Sequence, residues 1–278
     1  SKPYYWLNGQ AQTLPFTGQE GRANEIAVSG SNVYIIGRAE TNDKQTYYYW
    51  LNGESQPLPS AKAQLQAITV SGNDVYILGD DVIDVYDNRR SCYWVNGEQH
   101  FLNIDTWYST SAIAVSGSDV YIAGYDSGPC YWVNSVKHML SSTTGNEGRT
   151  YQIAVSGSNV YITGQDDDKP CYWVNGVRHI LPMPTGVDDG YCHGIAVSGS
   201  NVYIVGTYRT SNGIPKPCYW LNGVRHDLPG GIGGESGVIA LSGSDVYIAG
   251  YTAATTSEST PCYWLNGVLH TLPIPGAN

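Results

Sequence analysis

The densest run of chemically capable side chains is Asp188-Asp189-Gly190-Tyr191-Cys192-His193. With Glu25, the carboxylates of Asp188 and Asp189 and the imidazole of His193 could supply a general acid and a general base, the minimum for hydrolysis. Nothing in their spacing requires that use. The sequence has no Gly-x-Ser-x-Gly nucleophile elbow, no zinc-binding His-Glu-x-x-His and no Ser-x-Asp-x-Gly-x-x-Trp box of the sialidase type. It therefore reads as non-enzymatic, with no catalytic residue assigned and no cofactor called for.

Metal chemistry fares no better. Five of the six histidines (His100, His138, His179, His226 and His270) stand six residues after a recurring Trp. They fall on equivalent strands of different units and cannot converge on one ion, so they read as a surface ladder. Asp166, Asp167 and Asp168 form one acidic cluster and Asp80, Asp81, Asp84 and Asp87 another. Neither has the glycine and glutamate spacing of an EF-hand loop, and both read as solvated acidic surface.

The elements that must position these residues come from repetition. A phrase close to IAVSGSNVYIxG occurs six times, at Ile26 to Gly37, Ile68 to Gly79, Ile113 to Gly124, Ile153 to Gly164, Ile195 to Gly206 and Ile239 to Gly250. A second phrase, Tyr-Trp-(Val/Leu)-Asn-Gly preceded by Tyr or Cys, with Ser135 for the glycine in one instance, follows each copy, and a surplus seventh opens the chain at Tyr4 to Gly9. Each phrase predicts a hairpin: Ser-Gly-Ser-Asn or Ser-Gly-Ser-Asp joins two β-rich runs, and Asn-Gly is a type I′ turn. One repeat thus holds four antiparallel strands, here called A to D. Repeats of about 43 residues predict a β-propeller, all-β and one domain over 1–278. Strand A should be innermost and strand D, ending in Leu-Pro, the outer edge.

The strings Val115 to Gly124 and Tyr131 to Asn134, and their counterparts along practically the whole chain, resemble the repeats of uncharacterised bacterial propeller proteins, mostly predicted to be exported, that carry VSGxDVYVAG and YWxNG. The resemblance implies a propeller of bacterial origin and, with the low Lys content, leans toward export. That family carries no established activity, so no functional residue is transferred. Ser135 departs from the pattern by replacing the turn glycine, which puts a non-glycine residue at positive φ.

Six A-B hairpins and seven C-D hairpins do not pair off. Six blades with one spare C-D hairpin, either Tyr4 to Pro15 or Tyr263 to Pro273, is the simpler solution; seven blades, one incomplete, is the alternative. If residues 1–15 close the blade begun at Ile239, the C-terminal copy is displaced and could mediate self-association by swapping.

Composition narrows the partners. With 14 Lys and Arg against 24 Asp and Glu, the net charge of −10 repels nucleic acid and anionic membrane surfaces. No apolar run is long enough for a spanning helix, so no membrane insertion is expected. Five cysteines (Cys92, Cys130, Cys171, Cys218, Cys262) share one repeat column, where neighbours are too far apart for a disulfide; they read as buried thiols, with Cys192 alone outside the column.

The chain also contains its own alignment. Residues kept in every copy serve the blade, and those that differ are free for function. The two short turns share one end of the strands and barely change; the B-C and D-A loops at the other end vary freely, which marks that end as the functional face. His193 and its counterparts Asn24, Gln66, Ser111, Tyr151 and Gly237 should approach a common rim. Trp107, Tyr108, Tyr151 and Tyr191 in the D-A loops could stack on a sugar or a peptide side chain. The candidate binding set is Asn24, Glu25, Gln66, Trp107, Tyr108, Ser111, Arg149, Tyr151, Gln152, Asp188, Asp189, Tyr191 and His193. The expected role is presentation of these residues to a glycan, peptide or protein, with a self-assembling structural unit as the alternative.

Overall fold

The computed structural model describes all residues except 43, 59, 61, 85, 87, 103–108, 144–147, 188, 254–258 and 275–278. Trp107, Tyr108, Asp188 and Asp87 therefore lie outside the described residues. No helix of the described residues is long and apolar enough to cross a membrane. Strands β1 (Tyr4–Leu7) and β2 (Gln10–Thr13) form a separate two-stranded sheet. The first four-stranded sheet contains β3 (Glu20–Ser29), β4 (Asn32–Thr41), β5 (Lys44–Leu51) and β6 (Glu54–Gln56). Then come β7 (Gln64–Ser71), β8 (Asp74–Val82), β9 (Arg89–Val95) and β10 (Glu98–Phe101), and next β11 (Ser109–Ser116), β12 (Asp119–Tyr125), β13 (Pro129–Val133) and β14 (Val136–Met139). The fourth sheet is β15 (Arg149–Ser156), β16 (Asn159–Asp166), β17 (Lys169–Val174) and β18 (Val177–Ile180). The fifth is β19 (Gly190–Ser198), β20 (Asn201–Arg209), β21 (Pro215–Leu221) and β22 (Val224–Asp227), and the sixth β23 (Gly233–Ser242), β24 (Asp245–Ala253), β25 (Ser259–Leu265) and β26 (Val268–Thr271). These are the six blades of an all-β propeller, each in the order A-B-C-D, with one extra hairpin.

The spare hairpin is thereby identified. Tyr263 to Pro273 stays with its own blade, since β24 pairs β25 and β25 pairs β26. Residues 1–15 do not close that blade, and the C-terminal copy is not displaced as the swapping expectation required. Local sequence explains this: Gly250 faces Cys262 in the register found in the other blades, so the in-chain partner is always the nearer one.

Backbone contacts group the chain into two compact units, Ser1–Asp126 with Trp132–Lys137, and Ser127–Tyr131 with His138–Asn278. In the first, β3 packs on β7 and β7 on β11; in the second, β15 packs on β19 and β19 on β23. Inner strands therefore stack on inner strands, as the aliphatic A phrases predict.

The repeat residues account for the blade. Each Asn-Gly turn has both residues at positive φ, for example Asn175 at 50° and Gly176 at 84°, the type I′ pattern. Ser135 takes the glycine's place at φ 69°. The turn asparagine also grips strand B. Asn175 donates its N–H to Val160 O, accepts the Val160 N–H at Oδ1, each at 2.9 Å, and donates from Nδ2 to Asn159 Oδ1 at 2.8 Å. The repeat tryptophans Trp50, Trp94, Trp132, Trp173, Trp220 and Trp264 are at most 1% exposed. Several donate their indole N–H to the chain leaving the preceding outer strand: Trp173 to Ser141 O, Trp220 to Pro182 O and Trp264 to Pro229 O. The glycine ending VYIxG is needed because a Cβ at Gly164 would collide with Arg149 O and the Trp173 ring.

The histidine ladder is structural. His100, His138, His179, His226 and His270 each stack on the tyrosine one strand in, with ring centroids 4.8 to 5.0 Å apart. Among the described residues no group of acidic, histidine or cysteine side chains could hold a metal. All six cysteines are buried and none forms a disulfide.

One expectation is corrected. Strand A does not begin at the repeat isoleucine; it starts four to six residues earlier, through a register shift in every blade, for example between Thr150 and Gln152. The bulge lets the ladder continue into residues read as loop. Tyr151 and Tyr191 are strand residues, which fixes the direction of both rings.

Candidate functional site

In the first unit, the expected rim residues largely serve the blades. Glu25 accepts the Ile68 N–H at Oε2, 2.8 Å away, tying one inner strand to the next. Gln66 donates to Asp80 Oδ2 at 2.7 Å and accepts the Thr110 hydroxyl at 2.6 Å. Asn24 is exposed on β3, and Ser111 is half-buried on β11. Asp80 also takes the Ser91 hydroxyl at 2.6 Å, while Asp81, buried, accepts from Ser60 and Gln99. This acidic cluster is in large part hydrogen-bonded structure rather than solvated surface.

The same correction applies to Asp166 in the second unit. Its side chain is fully buried, accepts from Ser142 Oγ and Thr143, and pairs with Arg178. Burial pushes its pKa up, but the Ser142 and Thr143 hydrogen bonds and the Arg178 charge together outweigh that and leave it lowered. Asp167 and Asp168 occupy the turn itself, both at positive φ.

Elsewhere in the second unit the variable residues leave space. Tyr151, Gln152, His193, Ile195, Gly237 and Val238 line a cleft of about 250 Å3. His193 also borders a second, of about 410 Å3, with Glu235, Ser236, Val238, Ala249 and Tyr251. Three of the expected rim residues, Tyr151, Gln152 and His193, are thus brought together, with Gly237 in the column position where a side chain would fill the cleft. The bulge supports this arrangement. Thr163 Oγ1 donates to His193 O at 2.8 Å and fixes the backbone, and Tyr151 donates its hydroxyl to Gln165 at 3.1 Å. The Tyr151 and His193 rings lie 6.3 Å apart, tilted by 45°. Gln152 folds back so that its Oε1 accepts the Ile153 N–H at 3.0 Å.

The electrostatics favour a neutral imidazole. Burial lowers the His193 pKa from its ordinary value, and the Glu235 carboxylate only partly restores it. Glu235 also hydrogen-bonds the Tyr251 hydroxyl, whose pKa is raised by burial and then by that charge. Arg209 joins the set, 3.7 Å from Glu235 and 3.7 Å from Asp189. Glu235, Tyr251 and Arg209 were missed by sequence reasoning. The usable signal was that all three break the repeat at ends of strands A and B. Arg149 is exposed at the start of β15, and Tyr191, on β19, pairs with Thr207 of β20.

Cys192 belongs to the scaffold. Its thiol, fully buried, donates to Gly164 O at 2.9 Å and Cys171 O at 3.3 Å, and burial pushes its pKa up to about 12. Ser236 makes the same pair of contacts one blade on, to Gly206 O and Cys218 O.

A cavity of about 420 Å3 in the first unit lies at the turn end, lined by Tyr49, Val75, Ile77, Trp94, Asn96 and others. Its lining is mostly repeat residues, so it is a packing gap between blades, whereas the His193 clefts add Tyr151, Gln152, His193, Glu235 and Tyr251, particular to their blades, to repeat residues such as Ile195, Ile239 and Gly250.

No family model matches the chain, and no curated protein matches it in sequence. Solved structures share its fold. A puromycin-hydrolyzing peptidase of Mycobacterium tuberculosis superposes with a TM-score of 0.55 at 9% identity, covering 91% of this chain and 47% of that one. Trypanosoma rangeli sialidase gives 0.51 at 11%, covering 95% and 57%. AofleA from Arthrobotrys oligospora gives 0.50 at 8%, covering 91% and 87%. The chain thus spans about half the length of the first two.

Proposed function

We propose that the protein is a non-enzymatic binding module whose ligand is an uncharged glycan, held in the paired clefts around His193. The observation that carries this reading is the contrast in lining: the clefts collect off-repeat Tyr151, Gln152, His193, Glu235 and Tyr251 on a scaffold where such positions otherwise carry interblade bonds. Two phenol rings offer flat, amphipathic faces, and the Glu235 carboxylate and neutral imidazole accept hydroxyl donors, the usual division of labour in a sugar site. A net charge of −10 disfavours anionic ligands. Bacterial origin and export, implied by the repeat resemblance, belong to the same proposal.

The test is a glycan and peptide array on the full chain, followed by calorimetry on any hit. Tyr151→Ala and Tyr251→Ala should each weaken a glycan hit by about fivefold, the loss of one ring contact of roughly 1 kcal/mol, without changing the melting curve by more than a few degrees. A retained ligand that is a peptide, or a glycan hit indifferent to both substitutions, overturns the proposal.

A further inference from the structure

The gap between the first two blades has a local cause. In the other five blades the C-D hairpin carries a tyrosine with a histidine stacked on it, ring centroids 4.8 to 5.0 Å apart and planes 11 to 23° from parallel. In the first blade the residue opposite Tyr49 is Gln56. Its amide turns along its own strand, donating from Nε2 to Glu54 O at 3.2 Å, and among the described residues no ring stacks on Tyr49. Pro57 follows, with no N–H to extend the ladder, so β6 is three residues long where the other five D strands have four. Leu58, next along, is half-buried, whereas Leu102, Leu140, Leu181 and Leu228 are at most 7% exposed.

The space opened by these departures is the cavity of about 420 Å3, with Tyr49, Gln56 and Leu58 on one side and Val75, Ile77 and Trp94 on the other. Its size lies within the roughly 300–1,000 Å3 of small-molecule sites. Its walls are apolar and aromatic, and its polar groups differ in what they have left to offer. Asn96 is fully occupied, Oδ1 accepting the Val75 N–H at 2.9 Å and Nδ2 donating to Asp74 at 2.7 Å. Gln56 uses one Nε2 hydrogen; among the described residues its Oε1 and second Nε2 hydrogen bond no protein group. A carboxamide with one acceptor and one donor to spare thus stands beside a phenol ring that no other ring covers.

We propose that this cavity binds a small, uncharged N-heteroaromatic molecule of the adenine type, whose ring lies on Tyr49 where the other blades place a histidine. The chain itself supplies the recognition chemistry: the same phenol face, in the same strand position, seats an imidazole five times. Stacking explains why the ligand is flat, and nitrogen-rich rings stack well on phenol faces. The spare donor and acceptor of Gln56 match an amino group beside a ring nitrogen, the edge that a carboxamide reads on adenine. The net charge of −10 disfavours phosphorylated forms of the same ring. This site shares no residue with the clefts around His193 and holds or fails independently of the glycan reading.

The probe is adenine, titrated into the full chain by ligand-observed NMR. Saturable 1:1 binding with a dissociation constant of about 0.1–1 mM is expected for a ligand of this size. Gln56→His restores the repeat residue, so the protein's own imidazole takes the seat; binding should fall about tenfold or more while the melting temperature holds or rises. Gln56→Ala leaves the seat open and removes only the edge contact. It should weaken adenine about fivefold and abolish the preference for adenine over hypoxanthine, which presents an oxygen where adenine has its amino group. Tyr49→Leu keeps the apolar wall without the ring and should weaken binding about fivefold. No saturable binding, or binding indifferent to Gln56→His, overturns the proposal. So does loss of adenine binding on Tyr151→Ala, which would place the ligand in the His193 clefts, or an equal response to inositol, which would give the cavity to a saturated polyol. Tighter binding of adenosine 5′-monophosphate than of adenine would overturn the uncharged class named here.

Discussion

The two ends of the blades solve the same problem in opposite ways. At the turn end, one device recurs: an Asn at φ near 50° binds a strand-B valine through backbone and side chain together, from Asn52 to Asn266. At the loop end no device recurs throughout. Glu25 reaches Ile68, Gln66 links Asp80 to Thr110, Asp166 gathers Ser142, Thr143 and Arg178, and Cys192 and Ser236 cap the carbonyls of the blade before. A repeat can hold every blade together identically at one end only because the variable end is stitched by residues chosen blade by blade. Where the stitching is thin, around His193, a cleft remains.

The sharpest way to break this comparison is to cut one stitch and one grip in the same blade. Asp166→Ala leaves the Arg178 guanidinium, whose side chain is 19% exposed, without its carboxylate, and should cost about 3 kcal/mol. Asn175→Ala removes two side-chain hydrogen bonds at an exposed turn and a favourable positive-φ residue, and should cost about 1–2 kcal/mol. Urea unfolding of the two variants checks the order. If the turn substitution proves the costlier, the repeat and not the off-repeat residues carries the cohesion of that blade.

Cys192 tests a single stitch more finely. Cys192→Ser should be tolerated, because Ser236 performs the same two-carbonyl contact in the next blade; Cys192→Ala should lose about 1–3 kcal/mol, since two buried carbonyls lose their shared donor. Thermal melts read the difference. Equal losses for the two variants would mean that sulfur volume, not the donated proton, matters there.

These contrasts also mark how far the sequence could be read. Repeat words such as Ile153 to Gly164 reveal strands, turns and blades because their chemistry is local: glycine at positive φ, alternating apolar residues, Asn-Gly. They locate His193, Tyr151 and Gln152 together because His193 and Tyr151 break the pattern in one column and Gln152 breaks it in the next. They do not reveal that Glu25 and Gln66 break the pattern in order to bond the next blade, since an off-repeat residue looks the same whether it faces a ligand or a neighbouring amide. Nor do they reveal Glu235, Tyr251 and Arg209, which enter the site only because the bulge carries strand A past the repeat isoleucine. The spare hairpin was countable from the sequence, but which copy was spare depended on pairing.

The smallest expected effect separates the cleft from the stitched positions by proton linkage. His193 is held below its ordinary value near 6.5 by burial, so the unfolded chain binds this proton more readily than the folded one. Its contribution is therefore fully present above pH 6.5 and declines as the pH falls from there toward the depressed native value. Asp166 works lower: its lowered pKa gives stability that is present above the ordinary carboxylate range and lost only as the pH drops through it. The unaltered protein should thus lose stability in two acid steps, measurable by urea titration at a series of pH values. His193→Gln should flatten the first step and leave the second. If instead the first step survives in His193→Gln, the imidazole is not the group that the cleft keeps neutral, and the division between a stitched rim and an open one loses its electrostatic signature.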